Sequence, residues 1–467
     1  MKIPFIGGQS KRRSVNQSAQ QTVNLYLEID GAEKDTNAAL YMVPGKRLFA
    51  SVGDGPIRGM IAWGGSIIVV SDDDVYRLDS NGTSTLIGTI TSSGNMVSMA
   101  AGSSAVVIVD NGPAWSTDGA TVSPINDPDY LGSKTVAYQD GYFIFHQPNT
   151  RTFFITNGLD SLSIDGLDFA QSESGFDPIV SVISDHQELW ILCQSRAEIW
   201  YNSGASDFPF ARRDGAMLEA GCIAPMSVVK IDNSIMWLGR TRDGGGVVYR
   251  ADQYTPAIIS NRGIESEIAG YDLSTATAFA YQQNGHVFYC LSFDEKTYVY
   301  DASIADPDLA WHVRSTYNRG RDRAACHAYA FGLNLVGDNA GNQIAVLDLE
   351  TYDDLGEPIV WERTGQRIIS DSKRILFRQF VANIERGVGT ETGHGVAPKM
   401  YLDWSDDGGH TWSMKRELSM GAMGVRFGQI AATRLGQSRD RVFRLSGSDP
   451  VKTVILGAYV EAQTAAH

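Results

Sequence analysis

The chain has 467 residues, 43% hydrophobic and 20% charged, which excludes a disordered or fibrous polypeptide. Its 48 glycines against 15 prolines, with no Gly-X-Y period, argue for many tight turns and short strands, and against collagen, coiled coil or helical bundle. A formal charge of −15 disfavours tight nucleic-acid binding, whose affinity comes from cations on phosphates, yet suits a surface past which DNA slides.

Residues 1–55 are irregular. They start without the apolar core of a signal peptide, run through a polar Gln/Ser/Asn tract over 9–21, and reach the strand-like Val23-Asn24-Leu25-Tyr26-Leu27. From there a unit recurs: an apolar strand, a Gly- or Asn-containing turn, a second apolar strand, a polar turn, then a strand rich in Tyr or Trp. Copies start near Arg58, Met96, Lys134, Ile179, Ser227, Thr277 and Ala325, about 38 to 50 residues apart. That spacing brackets the ~40–50 residues of a four-stranded propeller blade. Asn81-Gly82, Asn111-Gly112, Asp118-Gly119, Asp140-Gly141 and Asn284-Gly285 fall between strand runs, where turns need a positive φ.

The predicted fold class is therefore all-β: a β-propeller of six or seven blades over residues 56–356, with stacked β-sandwiches as the alternative. The ends differ from the repeat. Beyond 357 the predicted strands are longer, at 373–385, 398–404, 423–434 and 451–462, the first readable also as an amphipathic helix. Residues 1–55 and 357–467 are expected to form an additional β-sandwich platform. From 363 to 444 there are fourteen Lys/Arg against eight Asp/Glu, a local +6 that leaves about −21 on the remainder. Such asymmetry marks either a docking face or an uneven solvated surface.

The strongest local motif is Ser405-Asp406-Asp407-Gly408-Gly409-His410-Thr411-Trp412, an Asp-box in which Ser405, Asp407, Gly409, Thr411 and Trp412 hold the pattern positions. Its chemistry is that of a turn: short polar side chains bond nearby backbone N–H groups and the Trp packs beneath. Asp-boxes occur in sialidases, usually repeated from blade to blade, so a carbohydrate-active propeller, sialidase-like or lectin-like, is the rival reading. Carboxylate pairs such as Asp72-Asp73-Asp74 and Asp353-Asp354 sit in apparent turns. The histidines show no ligand spacing, and neither a nucleophile elbow nor a phosphate loop is present. No catalytic, cofactor or metal site is predicted, and the chain reads as a non-enzyme. The four cysteines sit in or beside apolar runs and read as buried thiols, in keeping with synthesis in a cytoplasm. Three basic clusters are candidate contacts to DNA or to partner subunits: Lys11, Arg12 and Arg13; Arg319, Arg321 and Arg323; and Arg434, Arg439, Arg441 and Arg444.

The termini carry a family resemblance. Ile3-Pro4-Phe5-Ile6-Gly7-Gly8, Arg13-Ser14-Val15-Asn16 and Gln20-Gln21-Thr22-Val23-Asn24-Leu25-Tyr26 resemble the start of the packaged-DNA stabilisation proteins, the tail nozzle or tail hub proteins of short-tailed bacteriophages. The similarity continues through Ala39-Leu40-Tyr41, Pro44-Gly45 and Gly55-Pro56-Ile57-Arg58-Gly59. It returns at Trp404 to Trp412, Arg434-Leu435-Gly436-Gln437-Ser438-Arg439-Asp440-Arg441-Val442-Phe443, Ser448-Asp449-Pro450-Val451-Lys452 and Ile455-Leu456-Gly457-Ala458-Tyr459. The resemblance implies a structural virion protein made in the host cytoplasm. Six copies would ring the DNA exit channel below the portal and adaptor, retain packaged DNA, and conduct it during ejection. Tail spikes, fibres or a needle would attach, contact with DNA would be transient, and no membrane insertion is expected. A monomeric propeller scaffold is the third reading.

Overall fold

The computed structural model describes residues 2–29, 38–158, 161–173, 175–370 and 373–464. Six four-stranded antiparallel blades are each built from consecutive strands. Blade 1 comprises Ile57–Trp63, Ser66–Ser71, Asp74–Leu78 and Ser84–Thr89. Blade 2 comprises Ser98–Ala101, Val106–Val109, Ala114–Thr117 and Val122–Pro124, and blade 3 Val136–Gln139, Tyr142–His146, Thr152–Thr156 and Ile164–Gln171. Blade 4 comprises Ile179–Asp185, Glu188–Cys193, Ala197–Asn202 and Phe210–Leu218, and blade 5 Val229–Ile231, Ser234–Arg240, Gly246–Asp252 and Thr255–Ile258. Blade 6 comprises Thr277–Gln283, His286–Ser292, Thr297–Asp301 and Trp311–Arg314.

A further blade closes the circle with a strand from the other end of the chain. Ala324–Ala330, Leu333–Asp338 and Gln343–Asp348 are completed by Gly45–Ser51, antiparallel to Gln343–Asp348. The segment 1–55, expected in the platform, is thus divided between platform and propeller. Each predicted copy supplies one blade.

Packing explains why the second strands read as unbroken apolar runs. Blades stack face to face, so both faces of these strands are covered. Ile68 and Val70 of blade 1 pack on Val106, Ile108 and Trp115 of blade 2, and Val107 and Val109 on Phe143, Phe145 and Phe154 of blade 3. The chain of contacts continues around the ring. It ends where Leu335, Ile344 and Val346 of the closing blade meet Ile57, Ile67 and Val69 of blade 1. Asp140-Gly141 (φ 51° and 86°) and Asn284-Gly285 (φ 50° and 83°) make two-residue hairpin turns with both centres left-handed, as their sequences require.

The platform has two sheets. One orders Leu25–Ile29, Ala38–Met42, Val454–Thr464, Ile375–Ile384 and Ile430–Thr433, with Lys2–Ile3 and Gln437–Ser438 added at its margins. The other orders Gln21–Val23, Trp361–Thr364, Asp440–Gly447, Lys399–Ser405 and Arg416–Ser419. Leu40, Phe377, Phe380, Ile455 and Val460 from the first meet Trp361, Met400, Leu402, Phe443 and Leu445 from the second in one core. The stretch 373–385 holds a strand, Ile375–Ile384, not a helix: Ile375, Phe377 and Phe380 face inwards. Of the strand expected over 423–434, only Ile430–Thr433 forms. Gly424 and Gly428, at φ 76° and 111°, break it and leave Met423, Val425 and Phe427 exposed.

The platform is not a separate body. Val23 pairs in parallel with Val313 of blade 6, so the second sheet and that blade form one continuous ladder.

Candidate assembly site

The Asp-box forms the turn that follows Lys399–Ser405. The Ser405 hydroxyl donates to Asp407 Oδ1 at 2.6 Å and accepts from the Gly409 N–H at 2.7 Å. Asp407 also accepts from the backbone of His410 and Thr411 and from the Thr411 hydroxyl at 3.0, 2.8 and 2.6 Å. The hydroxyls of Ser405 and Thr411, with these N–H groups, hold its carboxyl well below the usual range. Gly409 sits at φ 108°, where a side chain would be strained. The Trp412 ring lies beneath the Arg444 guanidinium, 3.8 Å from its centroid, and Asp403 fixes Arg444 from the other side at 3.0 Å. A Cβ on Gly408 would come within 2.1 Å of Asn16 Oδ1, so the hairpin is docked on the N-terminal turn. The motif is a brace between the chain ends.

The predicted cations separate into surface and interior groups. Lys11, Arg13, Arg434 and Arg439 are exposed and Arg12 half-buried. The loop that carries Lys11, Arg12 and Arg13 is anchored: Asn261 donates to the Gln9 carbonyl at 2.8 Å while capping the helix Arg262–Ile268. Arg441 is a correction. It is 1% exposed, paired with both oxygens of Asp406 at 2.6 and 2.7 Å, bonded to the Leu435 carbonyl, and stacked over Phe377 and Trp404. A guanidinium so engaged organises the platform core and is not a surface contact. Arg319 and Arg323 are likewise occupied, by Asp338 and by Asp354 and Glu357.

Arg363 and Lys46 are among the interior cations that escaped the sequence reading. Arg363, wholly buried, donates to the carbonyls of Phe5 and Gly8, to the Thr22 hydroxyl and to Gln20 Oε1, at 2.6, 3.0, 2.7 and 2.9 Å. Burial pulls its pKa down to about 9. The N-terminal residues Phe5, Gly7, Gly8, Gln20 and Thr22 are therefore a cage for one side chain. Lys46 enters the closing blade with Asp322 at 2.8 Å and Asp354 at 3.5 Å. Burial by itself would lower it, but the two carboxylates outweigh that and raise it. Nothing in the sequence marked either one, because Glu362 and Thr364 flank Arg363 and Arg47 follows Lys46 in the same short strands.

At one end of the propeller axis is a cavity of about 650 Å³, ringed by residues of every blade, among them Asn95, Asn111, Lys134, Gln194 and Arg321. That is the size of a small-molecule pocket, far below a duplex. Asp294 is the one carboxylate among its described lining residues, whereas glycoside hydrolysis ordinarily uses two across the scissile bond. Among the described residues no group of three His, Cys, Asp or Glu could hold a metal, and no helix is long and apolar enough to cross a membrane. All four cysteines are buried and unpaired, with burial pushing each thiol up to about 12.

Two family models match the chain end to end: "Bacteriophage P22 Gp10, beta-propeller" over residues 1–352 and "Bacteriophage P22 Gp10, beta-sandwich" over 361–463. No curated protein matches the sequence significantly. Solved structures with similar folds include the Pan2 WD40 domain of Neurospora crassa, 7% identical with a TM-score of 0.40, over 62% of this chain and 88% of that one. The N-terminal domain of Nup159 is 8% identical with a TM-score of 0.42, over 71% and 99%. PorZ of Porphyromonas gingivalis is 12% identical with a TM-score of 0.39, over 80% and 46%.

Proposed function

The chain belongs to the bacteriophage P22 Gp10 family, and from that premise we propose that it is a non-enzymatic nozzle subunit of a short-tailed phage tail. Six copies form a ring beneath the portal and adaptor, close the exit channel over packaged DNA, and conduct DNA outward at ejection. Spikes, fibres or a needle attach to the ring. The observation that carries this reading is the end-to-end match of both family models, propeller and sandwich in that order.

Physical features support it. The cavities along the inner strands, about 650, 560 and 280 Å³, are each too small for a duplex, which supports a DNA passage between subunits over one through a single propeller. The body of the chain carries about −21 outside residues 363–444. A lumen walled by that surface repels phosphate and keeps the sliding strand from sticking. The carbohydrate-active alternative is not favoured, because both family models that match are those of a phage protein.

The test is made on particles assembled in cells infected by a phage lacking the gene. They should package DNA and then leak it, and supplying the full chain should restore retention. Particles that keep their DNA and infect normally without the chain would overturn the proposal.

A further inference from the structure

Two of the exposed apolar surfaces among the described residues differ in the charge of the residues beside them. The first is the last strand of blade 3, Ile164–Gln171, which pairs only with Thr152–Thr156 and so leaves a free edge. Leu167 and Phe169 stand on one side of that strand at 82% and 46% exposure, and Phe176 beyond it at 93%. Asp165 and Asp168 flank Leu167 and Phe169 with no Lys or Arg from 152 to 195, whereas Phe176 lies under the Arg151 guanidinium and Glu173 pairs with Arg212. Soluble proteins rarely leave such an edge bare, since it invites another chain to pair.

The second patch is the platform tip before Ile430–Thr433. Met423, Val425 and Phe427 are 51%, 48% and 93% exposed, with Arg426 between the last two and no acidic residue from 418 to 430. The tip is a built structure. Arg386 donates to the Phe427 carbonyl at 2.6 Å, and the Gly424 N–H donates to the Gly387 carbonyl at 3.1 Å. A glycine-hinged, basic, apolar point is thus held out from the sandwich.

We propose that the platform tip of one copy docks on the blade 3 edge of the next, Met423, Val425 and Phe427 covering Leu167 and Phe169 while Arg386 and Arg426 face Asp165 and Asp168. The two patches lie on different parts of the chain, so the contact is heterologous, and a heterologous contact repeated with a closing rotation makes a ring. This inference rests on the ring reading above and assigns its contact surface. The matching of apolar centre with charged rim is the arrangement that gives an interface both affinity and register.

The test uses full-length chain carrying L167C and F427C together, supplied to cells infected by the phage lacking the gene. Buried native thiols leave little background. Non-reducing electrophoresis of purified particles should show a ladder of linked copies from the double variant and none from either single variant. In parallel, R426E should lose incorporation and D168R should restore it in the same chain, a rescue that misfolding would not give. Chain present in particles without a ladder, or with R426E incorporating as the natural chain does, would overturn the interface and leave the ring intact. Absence of even the natural chain from particles would overturn the ring reading, and the interface with it.

Discussion

His146 is fully buried in blade 3, and neither ring nitrogen has a hydrogen-bond partner among the described residues. Burial, with Lys134 nearby, lowers its pKa from 6.5 to about 3. Between those values the unfolded chain binds a proton that the folded chain does not. Stability from this residue is therefore complete above about pH 6.5 and is lost as the pH falls, by about 1.4 kcal/mol per pH unit. His312, buried beside Arg314, is lowered too and adds to the loss, whereas His286, raised against its burial by Asp301 and Glu28, opposes it. H146F should flatten the acid limb of melting temperature against pH while matching the natural chain near pH 7.5. Parallel curves would refute the assignment. Single-residue roles were the least legible part of the sequence. Arg441 and Arg439 lie two apart in one basic run, yet one is a core residue stacked on Phe377 and the other is exposed. Strand alternation does not separate them, since residues two apart share a face; Arg439 lies just before Asp440–Gly447 begins, whereas Arg441 is inside the strand, over the platform core.

At the scale of elements, turns and apolar runs were enough to find the blades, because each needs only neighbours within about 40 residues. The closing strand was not legible in the same way. Gly45–Ser51 pairs with Gln343–Asp348, some 300 residues away, so no local period announces it. Its register is instead held by Lys46, whose ammonium faces two buried carboxylates across the seam. K46M keeps the stem's bulk but leaves Asp322 and Asp354 without that cation, a change that costs about 3–5 kcal/mol for a broken buried pair. The denaturant midpoint should fall accordingly. Adding D322N to K46M should recover part of the loss, since it removes one stranded charge. A double variant no more stable than K46M alone would place the effect elsewhere, in packing of the lysine stem. The same long-range logic explains the Asp-box: its hairpin was legible, but its seat on Asn16 was not.

For the whole molecule, the two family matches invite a division near residue 356, and the strand pairings oppose it. The N-terminal segment is shared three ways. Lys2–Ile3, Leu25–Ile29 and Ala38–Met42 join the first platform sheet, Gln21–Val23 joins the second, and Gly45–Ser51 closes the propeller. The backbone at Val23 lies between Val313 of blade 6 and Glu362 of the platform, so one ladder runs through both. Phe288, Cys290 and Val299 of blade 6 also belong to the platform core, beside Tyr26 and Leu27. Opening the sandwich would strip apolar surface from that blade, and opening the propeller would free the strand that precedes the seam. Neither part can lose structure while the other keeps all of its own. Calorimetry of the full chain should therefore show one transition, with van 't Hoff and calorimetric enthalpies in agreement, although chains of this size commonly melt in steps. Removal of residues 357–467 should destabilise the propeller itself, read as a lower melting temperature of the remaining fragment. Two separated transitions in the full chain, the higher matching that fragment alone, would mean that the propeller stands unaided and the shared ladder contributes little.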